Sequence, residues 1–465
     1  MVGSSSPEKA GVAVKPPLTL AEWLTAPRPS TTPIAWQHER LWTLAHLRSD
    51  VARLVARLQH QQGDRWALCC EDGYRFIVAL LATLHAGKIP VLPGHSRPAL
   101  LNEQRELFDG ILSDAPLEWP GTQLVVDTAP TLNDVVHFPP LRDDAVIELF
   151  TSGSTGQPKR IVKPVVCLDR EASLLSAQFA ERLAGCRIVA SVTPQHLYGL
   201  TFRIFLPMAL GLPLHATMLA FPEQLAALSH AHRYAFISSP AFLKRLDPQL
   251  VPPPLALALS AGGVLDWQDA QRSAAWLKVW PDEIYGSTET GVIAWRYREG
   301  ENPRWQPFPG IHFDRQGAAF RVYSPLIADL NGFMLEDVLQ LSANGHFHLL
   351  GRHGRVVKIE EKRVSLSEIE QRLLALNGIR EAVALAVTRH GRQCVGVLLV
   401  LDDDARQRWQ NGGGKAQERA WRHALRPWLE PVAVPRYWRI IDEIPVNSMN
   451  KRVYAQLQEL LHETP

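Results

Sequence analysis

Nine residues, Thr151-Ser152-Gly153-Ser154-Thr155-Gly156-Gln157-Pro158-Lys159, combine four hydroxyls, two glycines and a lysine directly after the apolar pair Leu149-Phe150. Glycine lets backbone amides approach an anion closely, the hydroxyls of Thr151, Ser152, Ser154 and Thr155 add donors, and Lys159 adds positive charge. That mixture suits polyphosphate, held by a mobile polar loop at the end of a strand. The spacing is not G-x-x-x-x-G-K-[ST], because Gly153 and Gly156 stand too close together and no hydroxyl residue follows Lys159. An ordinary solvent loop has the same composition, so these residues alone leave both readings open.

A second strand-to-turn segment, Asp282-Glu283-Ile284-Tyr285-Gly286-Ser287-Thr288-Glu289-Thr290, brings an aromatic face, hydroxyl donors and one carboxylate. Magnesium takes hard oxygen ligands and commonly one or two protein carboxylates beside phosphate oxygens, a role that suits Glu289. Upstream, Leu255-Ala256-Leu257-Ala258-Leu259-Ser260 reads as a buried strand opening into the turn Ala261-Gly262-Gly263. Further along, Glu336-Asp337 and Gly351-Arg352 bracket two short β-like runs joined at Asn344-Gly345, and Pro445-Val446-Asn447-Ser448-Met449-Asn450-Lys451 places a lysine near the C-terminus.

In this order the segments resemble the motifs of the adenylate-forming superfamily: acyl-CoA synthetases, peptide-synthetase adenylation domains and luciferases. The first matches the family's [FY]-T-S-G-S-T-G-x-P-K-G loop except for Arg160 in place of the last glycine, and Tyr285-Gly286-Ser287-Thr288-Glu289 matches Y-G-x-T-E. The resemblance spans residues 148 to 451. It implies ATP and Mg²⁺ as cofactors, with Glu289 and Thr155 at the metal and Lys159 with Thr151, Ser152, Gly153, Ser154, Thr155 and Gly156 at the phosphates. It places Gly262, Gly263, Ile284, Tyr285, Gly286 and Thr288 at the nucleotide, and Asp337 and Arg352 at the ribose. Lys451, with Lys159 and Glu289, is the implied catalytic group. The acid-binding segment is Thr193-Pro194-Gln195-His196-Leu197-Tyr198-Gly199, with His196, Tyr198 and Gly199 as substrate residues. Tyr198 and Phe202 suit an aromatic acid and suit a protein core equally.

The reaction so implied joins a carboxylate to the α-phosphorus of ATP and then passes the acyl group to a thiol. A rotating small domain would exchange Lys451 for the segment around Lys358 to Val364. The run Val357-Lys358-Ile359-Glu360-Glu361-Lys362-Arg363-Val364-Ser365-Leu366 is more similar to stand-alone ligases of aryl-polyene and pigment pathways than to general acyl-CoA synthetases. That likeness implies an aryl acid, hydroxybenzoate-like, passed to a holo-acyl carrier protein in trans, since no carrier segment follows before Pro465. Transfer to CoA is the runner-up. Four positions depart from the family besides Arg160: Glu336 stands in the usual Gly-Asp pair, Gly354 at the acidic hinge, Glu361 at a glycine of the thiol channel, and Asn450 before the lysine. A nucleotide-binding protein without turnover is therefore the competing reading.

The elements that must position these residues read as α/β. Leu41, Leu44, Leu47, Val51, Leu54, Val55 and Leu58 recur at helical spacing, Trp66 to Cys70 reads as a strand, Tyr74 to Ala86 as a helix and Ile89 to Leu92 as a strand. Continued alternation predicts a large N-terminal domain of mostly parallel sheets flanked by helices, with a small mobile α+β C-terminal domain. Expected boundaries are a disordered tail over 1–17, an adenylate-binding domain over 18–352 and a mobile domain over 353–465, in which Asp402-Asp403-Asp404 to Gly412-Gly413-Gly414 reads as an exposed loop. With 465 residues, 46% of them apolar, the chain has material for a large core, and a net charge of +2 argues against a nucleic-acid surface. Cys69, Cys70, Cys167, Cys186 and Cys394 lack paired metal spacing and read as buried free thiols. The run from Leu200 to Phe221 is interrupted by Arg203 and His215, and no early stretch reads as a signal peptide. The expectation is a cytoplasmic protein with no membrane span.

Overall fold

The structure, a computed structural model, describes residues 16–128, 137–152, 158–317, 319–352, 355–359, 362–389, 392–429, 431–446, 452 and 454–462. It forms two compact units, Met1–Glu301 with Pro325–Ala328, and Asn302–Ser324 with Asp329–Pro465.

The first unit is built on two sheets. One runs in spatial order Thr122–Val125, Gly110–Ser113, Arg65–Cys69, Ile89–Leu92, Val146–Ser152, Pro158–Pro164. Every neighbouring pair in it is parallel except the last, an antiparallel hairpin in which Thr151 faces Lys159 and Phe150 faces Arg160. The other contains Gly291–Tyr297, Asp282–Ser287, Leu255–Ser260, Tyr234–Ser238, Arg187–Ala190, Leu214–His215, Pro33–Gln37 and Arg40–Thr43 in that order. Its central pairs are parallel, and its hairpins Asp282–Ser287 with Gly291–Tyr297 and Pro33–Gln37 with Arg40–Thr43 are antiparallel. Parallel strands covered on both faces read as continuous apolar runs, which is why Tyr234–Ser238 is buried throughout and Ala256 to Ser260 likewise.

Helices cover these strands. Leu44–Gln59 buries Leu44, Leu47, Val51, Leu54, Val55 and Leu58, one face at the expected period. Leu41 does not belong to that helix; it lies in the strand Arg40–Thr43 and is exposed. The helix begins after Thr43, whose backbone amide donates to His46 Nδ1 at 3.1 Å, so the capping residue sets the start and overrides the apolar spacing. Gly73–His85 is apolar on nearly every side and almost wholly buried. All five cysteines are free and buried, as their context predicts.

The second unit carries the three strands His312–Gln316, Ala319–Tyr323 and Phe333–Met334, the hairpin Asp337–Leu341 with Phe347–Arg352, and the hairpin Val356–Ile359 with Lys362–Ser365. A further sheet, Ile379–Arg389, Arg392–Leu401 and Tyr437–Ile440, packs with the helices Leu366–Leu374 and Gly414–Leu425 around Ile369, Leu373, Val395, Val397, Leu399 and Trp421. Compactness divides the chain near residue 301, whereas the expected domain boundary falls between 352 and 353. Gly351 lies against Ser367, and Trp305 bridges Phe347, which ties these strands to their own unit.

The polar stretch from Asp402 to Gly414 is not one exposed loop: the short helix Asp403–Arg408 runs to a kink at Asn411 and Gly412, the latter at φ +86°, beyond which Gly414–Leu425 is helical again. The Asp402 carboxylate accepts from the Ala405 amide at 2.7 Å and caps the first turn, and Ala405, Trp421 and Leu425 are buried on the inner face. Composition suggested a loop because the stretch is almost wholly polar or glycine; within it Ala405 alone is buried, and that residue with the Asp402 cap fixes the first helix.

Candidate active site

Of the first motif, Thr151 and Ser152 end the strand Val146–Ser152, and Pro158 and Lys159 begin its antiparallel partner Pro158–Pro164. Gly153, Ser154, Thr155, Gly156 and Gln157 lie outside the described residues, as do Gly354, Glu361, Asn450 and Lys451. Lys159 is part of the returning strand and does not sit in the loop, because its pairing with Thr151 closes the hairpin tightly.

Strand alternation sends Lys159 and Arg160 to opposite faces. Lys159 Nζ donates to Glu289 Oε1 at 2.8 Å, joining the two motif turns across 130 residues of sequence. Burial pushes the Glu289 carboxyl up, but the bonds from Lys159, its own backbone amide and Ser287 outweigh it and hold the group below its ordinary value. Glu289 is therefore ionised and already faces a cation. Arg160, the departure from the family glycine, turns the other way and pairs with Glu148, a fully buried carboxylate that also takes Arg65 Nε at 3.2 Å.

The turn after Asp282–Ser287 is held by its own hydroxyls. Ser287 N donates to Thr290 Oγ1 at 3.1 Å and Thr290 N donates to Ser287 Oγ at 3.2 Å. Ile284 is buried, Tyr285 and Thr288 are half-buried, and Glu289 projects from the turn. A side chain at Gly286 would place its Cβ 2.2 Å from the Gly291 carbonyl oxygen, so only glycine permits this close hairpin. Gly262 and Gly263 form the turn after Leu255–Ser260, as expected.

Two buried charges that sequence reading passed over stand beneath this site. Lys163, on the same face of its strand as Lys159, donates from Nζ to the Glu289 backbone carbonyl at 2.9 Å. Glu171, in the helix Val165–Leu183, accepts from the Val292 amide at 2.7 Å and from the Thr201 hydroxyl at 2.6 Å. The available signal was the alternation Lys159, Ile161, Lys163, which puts a second lysine on the ligand-facing side of a strand.

In the segment Thr193 to Gly199, the His196 ring packs beside Gly94: a Cβ there would lie 3.1 Å from His196 Cε1 and 3.6 Å from the Phe150 carbonyl oxygen. That sets His196 near the strand Val146–Ser152, which carries Phe150. The Tyr198 ring lies tilted against that of Phe202, which is buried, with centroids 5.1 Å apart, and burial pushes the Tyr198 hydroxyl well above its ordinary range. Gly199 is required by packing, since a Cβ would fall 1.9 Å from the Thr193 carbonyl oxygen.

In the second unit, the hairpin register sets Asp337 directly opposite Arg352, with Gly345 at φ +82° in its turn. Two residues 15 positions apart are thereby made cross-strand neighbours. Among the described residues no cluster of three or more His, Cys, Asp or Glu is arranged to hold a metal, and no helix is long and apolar enough to cross a membrane.

Residues 22–323 match the AMP-binding enzyme family, and the chain belongs to that family. It is 30% identical over 320 residues to a 4-coumarate–CoA ligase of Halorhodospira halophila, covering 65% of this chain and 73% of that protein. Identity to the 4-coumarate–CoA ligase of Cereibacter sphaeroides is 26% over 257 residues, covering 54% and 58%. With nonribosomal peptide synthetase 8 of Aspergillus fumigatus it is 29% over 301 residues, 58% of this chain but only 3% of that one. The fold is shared with ATP-bound MatB from Rhodopseudomonas palustris, at a TM-score of 0.79 and 19% identity over 95% of this chain and 98% of the other. It is shared also with a benzoate CoA ligase from Burkholderia xenovorans, at 0.76 and 17% over 95% and 100%.

Proposed function

We propose that the chain is an AMP-forming acid–thiol ligase. A carboxylate oxygen attacks the α-phosphorus of ATP, the bond to pyrophosphate breaks, and an acyl-adenylate forms. A thiol sulfur then attacks the acyl carbon, the bond to the phosphate oxygen breaks, and AMP leaves. The barrier to the first step is electrostatic, because two anions meet and charge grows on the α-phosphoryl oxygens and the leaving group. The observation that carries this reading is the Lys159–Glu289 ion pair, which brings a cation and an ionised carboxylate from two motifs to one point.

In this reading Lys159 and the residues from Thr151 to Gly156 hold the phosphates, and Lys451 meets the reacting oxygen. Tyr285, with Ile284, Gly286, Thr288, Gly262 and Gly263, borders the adenosine, and Asp337 and Arg352 take the ribose. Glu289 and Thr155 would hold Mg²⁺; the oxygen donors suit a hard cation, and the Lys159 ammonium already stands on the cation-facing side of Glu289. Magnesium carried with the triphosphate supplies charge that offsets the pyrophosphate. Residues 353–465 are the moving domain. Arg160 argues against the reading without turnover, since its partner is Glu148 and its glycine-to-arginine change is absorbed away from Lys159.

His196, Tyr198 and Gly199 border the acid, an aryl acid in this reading, which the 4-coumarate–CoA ligases among the relatives support. The acceptor in our first reading is the pantetheine thiol of a holo-acyl carrier protein in trans, in the cytoplasm. CoA is the second reading, supported by the 4-coumarate–CoA ligases among the relatives. Exchange of labelled pyrophosphate into ATP, screened over aryl and aliphatic acids, tests the first step; no exchange with any acid refutes it. Thiol-dependent AMP release with CoA alone refutes the carrier assignment.

A further inference from the structure

Three elements of the proposed site meet at two buried charges. Lys163, 4% exposed, comes from the strand that carries Lys159 and ends at the Glu289 carbonyl. Glu171, 2% exposed, holds the Val292 amide on the far side of the same turn, and its other oxygen holds Thr201, two residues beyond the His196–Gly199 segment. Gly291 has no room for a side chain here, because a Cβ would sit 2.7 Å from Glu171 Oε1. Burial pushes the Lys163 ammonium down and the Glu171 carboxyl up, and each is opposed by the charge of the other. An isolated buried charge is costly, so a lysine and a glutamate kept here, where apolar residues would pack, mark a constraint on position.

We propose that Lys163 and Glu171 are positioning residues that fix the 287–292 turn from beneath. Lys163 and Lys159 hold Glu289 at its two ends, carbonyl and carboxylate, and Glu171 ties that turn to the acid-binding segment through Thr201. Removing Lys163 leaves the Glu289 side chain in place chemically but frees the backbone that aims it. The consequence falls on metal-dependent nucleotide binding, since Glu289 is the carboxylate proposed to face the metal. Supporting groups of this kind commonly change metal affinity about 10–100-fold.

This inference rests on the nucleotide reading of the site, and the test separates the two. Calorimetry measures the affinity of a non-hydrolysable ATP analogue with Mg²⁺ and with EDTA for the full chain, Lys163→Met, Glu289→Gln and the double variant. Lys163→Met is expected to lose about 10–100-fold in affinity with Mg²⁺ while the EDTA value stays within about twofold. The double variant is expected to be no weaker than Glu289→Gln alone, since Lys163 acts through that residue. If Lys163→Met does not fold, Lys163→Gln serves, because its shorter side chain stops short of the Glu289 carbonyl. Equal losses with and without Mg²⁺, or additive losses in the double variant, overturn the positioning role. An unmodified chain with no Mg²⁺-dependent gain overturns the nucleotide reading and the inference with it.

Discussion

Replacing Glu289 by glutamine separates a catalytic carboxylate from a structural one. The substitution keeps size and an oxygen that can accept from Lys159, and removes only the charge. At 2.8 Å two unit charges attract by about 6 kcal/mol at an effective dielectric of 20 and about 1.5 kcal/mol in water, before desolvation and side-chain entropy are subtracted. The Lys159 side chain is 55% exposed, which puts the pair near the aqueous limit, where such bridges contribute about 0–1 kcal/mol net. Thermal unfolding should therefore shift by no more than about 4 °C. Adenylate formation should fall far more, by about 10²–10³-fold or 3–4 kcal/mol, the usual cost of losing one preorganised electrostatic group. Pyrophosphate exchange over a Mg²⁺ titration, run beside the unfolding curve, reads both quantities. Unchanged exchange, or a rate loss matched by collapse of the fold, refutes the assignment.

Other outcomes follow from the same geometry. Lys451→Ala should severely impair pyrophosphate exchange while thioester formation from a preformed acyl-adenylate continues; equal loss of both steps removes the lysine from its role. Arg160→Gly should leave exchange within a few-fold and lower stability by about 1 kcal/mol, because Arg65 still pairs with Glu148 and Arg160 is half exposed. Denaturant melts and exchange rates check the two halves of that statement. Burial, opposed by Arg182, lifts the Asp282 carboxyl from 3.8 to about 6. The folded state thus binds a proton that the unfolded state has released between those values, and stability falls as pH rises through that window. Asp282→Asn cannot titrate, so its melting temperature relative to the unmodified chain should be more favourable at about pH 8 than at about pH 5. An offset independent of pH would show that Asp282 is charged in both states.

The family was legible in the sequence because its chemistry needs particular atoms on short segments. Tyr285 to Glu289 sit on one strand end and its turn, so order in sequence is order in space there. Lys163 and Glu171 were not legible for the opposite reason. A lysine in an edge strand and a glutamate in a helix read as solvated charges, and only the packing of that helix under the turn buries both. The Asp402 to Gly414 stretch was read as one loop because a single buried residue, Ala405, does not stand out among so many polar neighbours.

The sequence by itself determined the α/β alternation, the burial of the cysteines and the identity of the motif residues, since these depend on local period and on side-chain chemistry. Tertiary structure alone decided that Lys159 meets Glu289, that Arg160 turns to Glu148, and that Asp337 stands opposite Arg352. The physical reason is that partner choice depends on strand register and on which face each side chain takes. A shift of one residue in either strand of a hairpin would send every one of these groups to the other side.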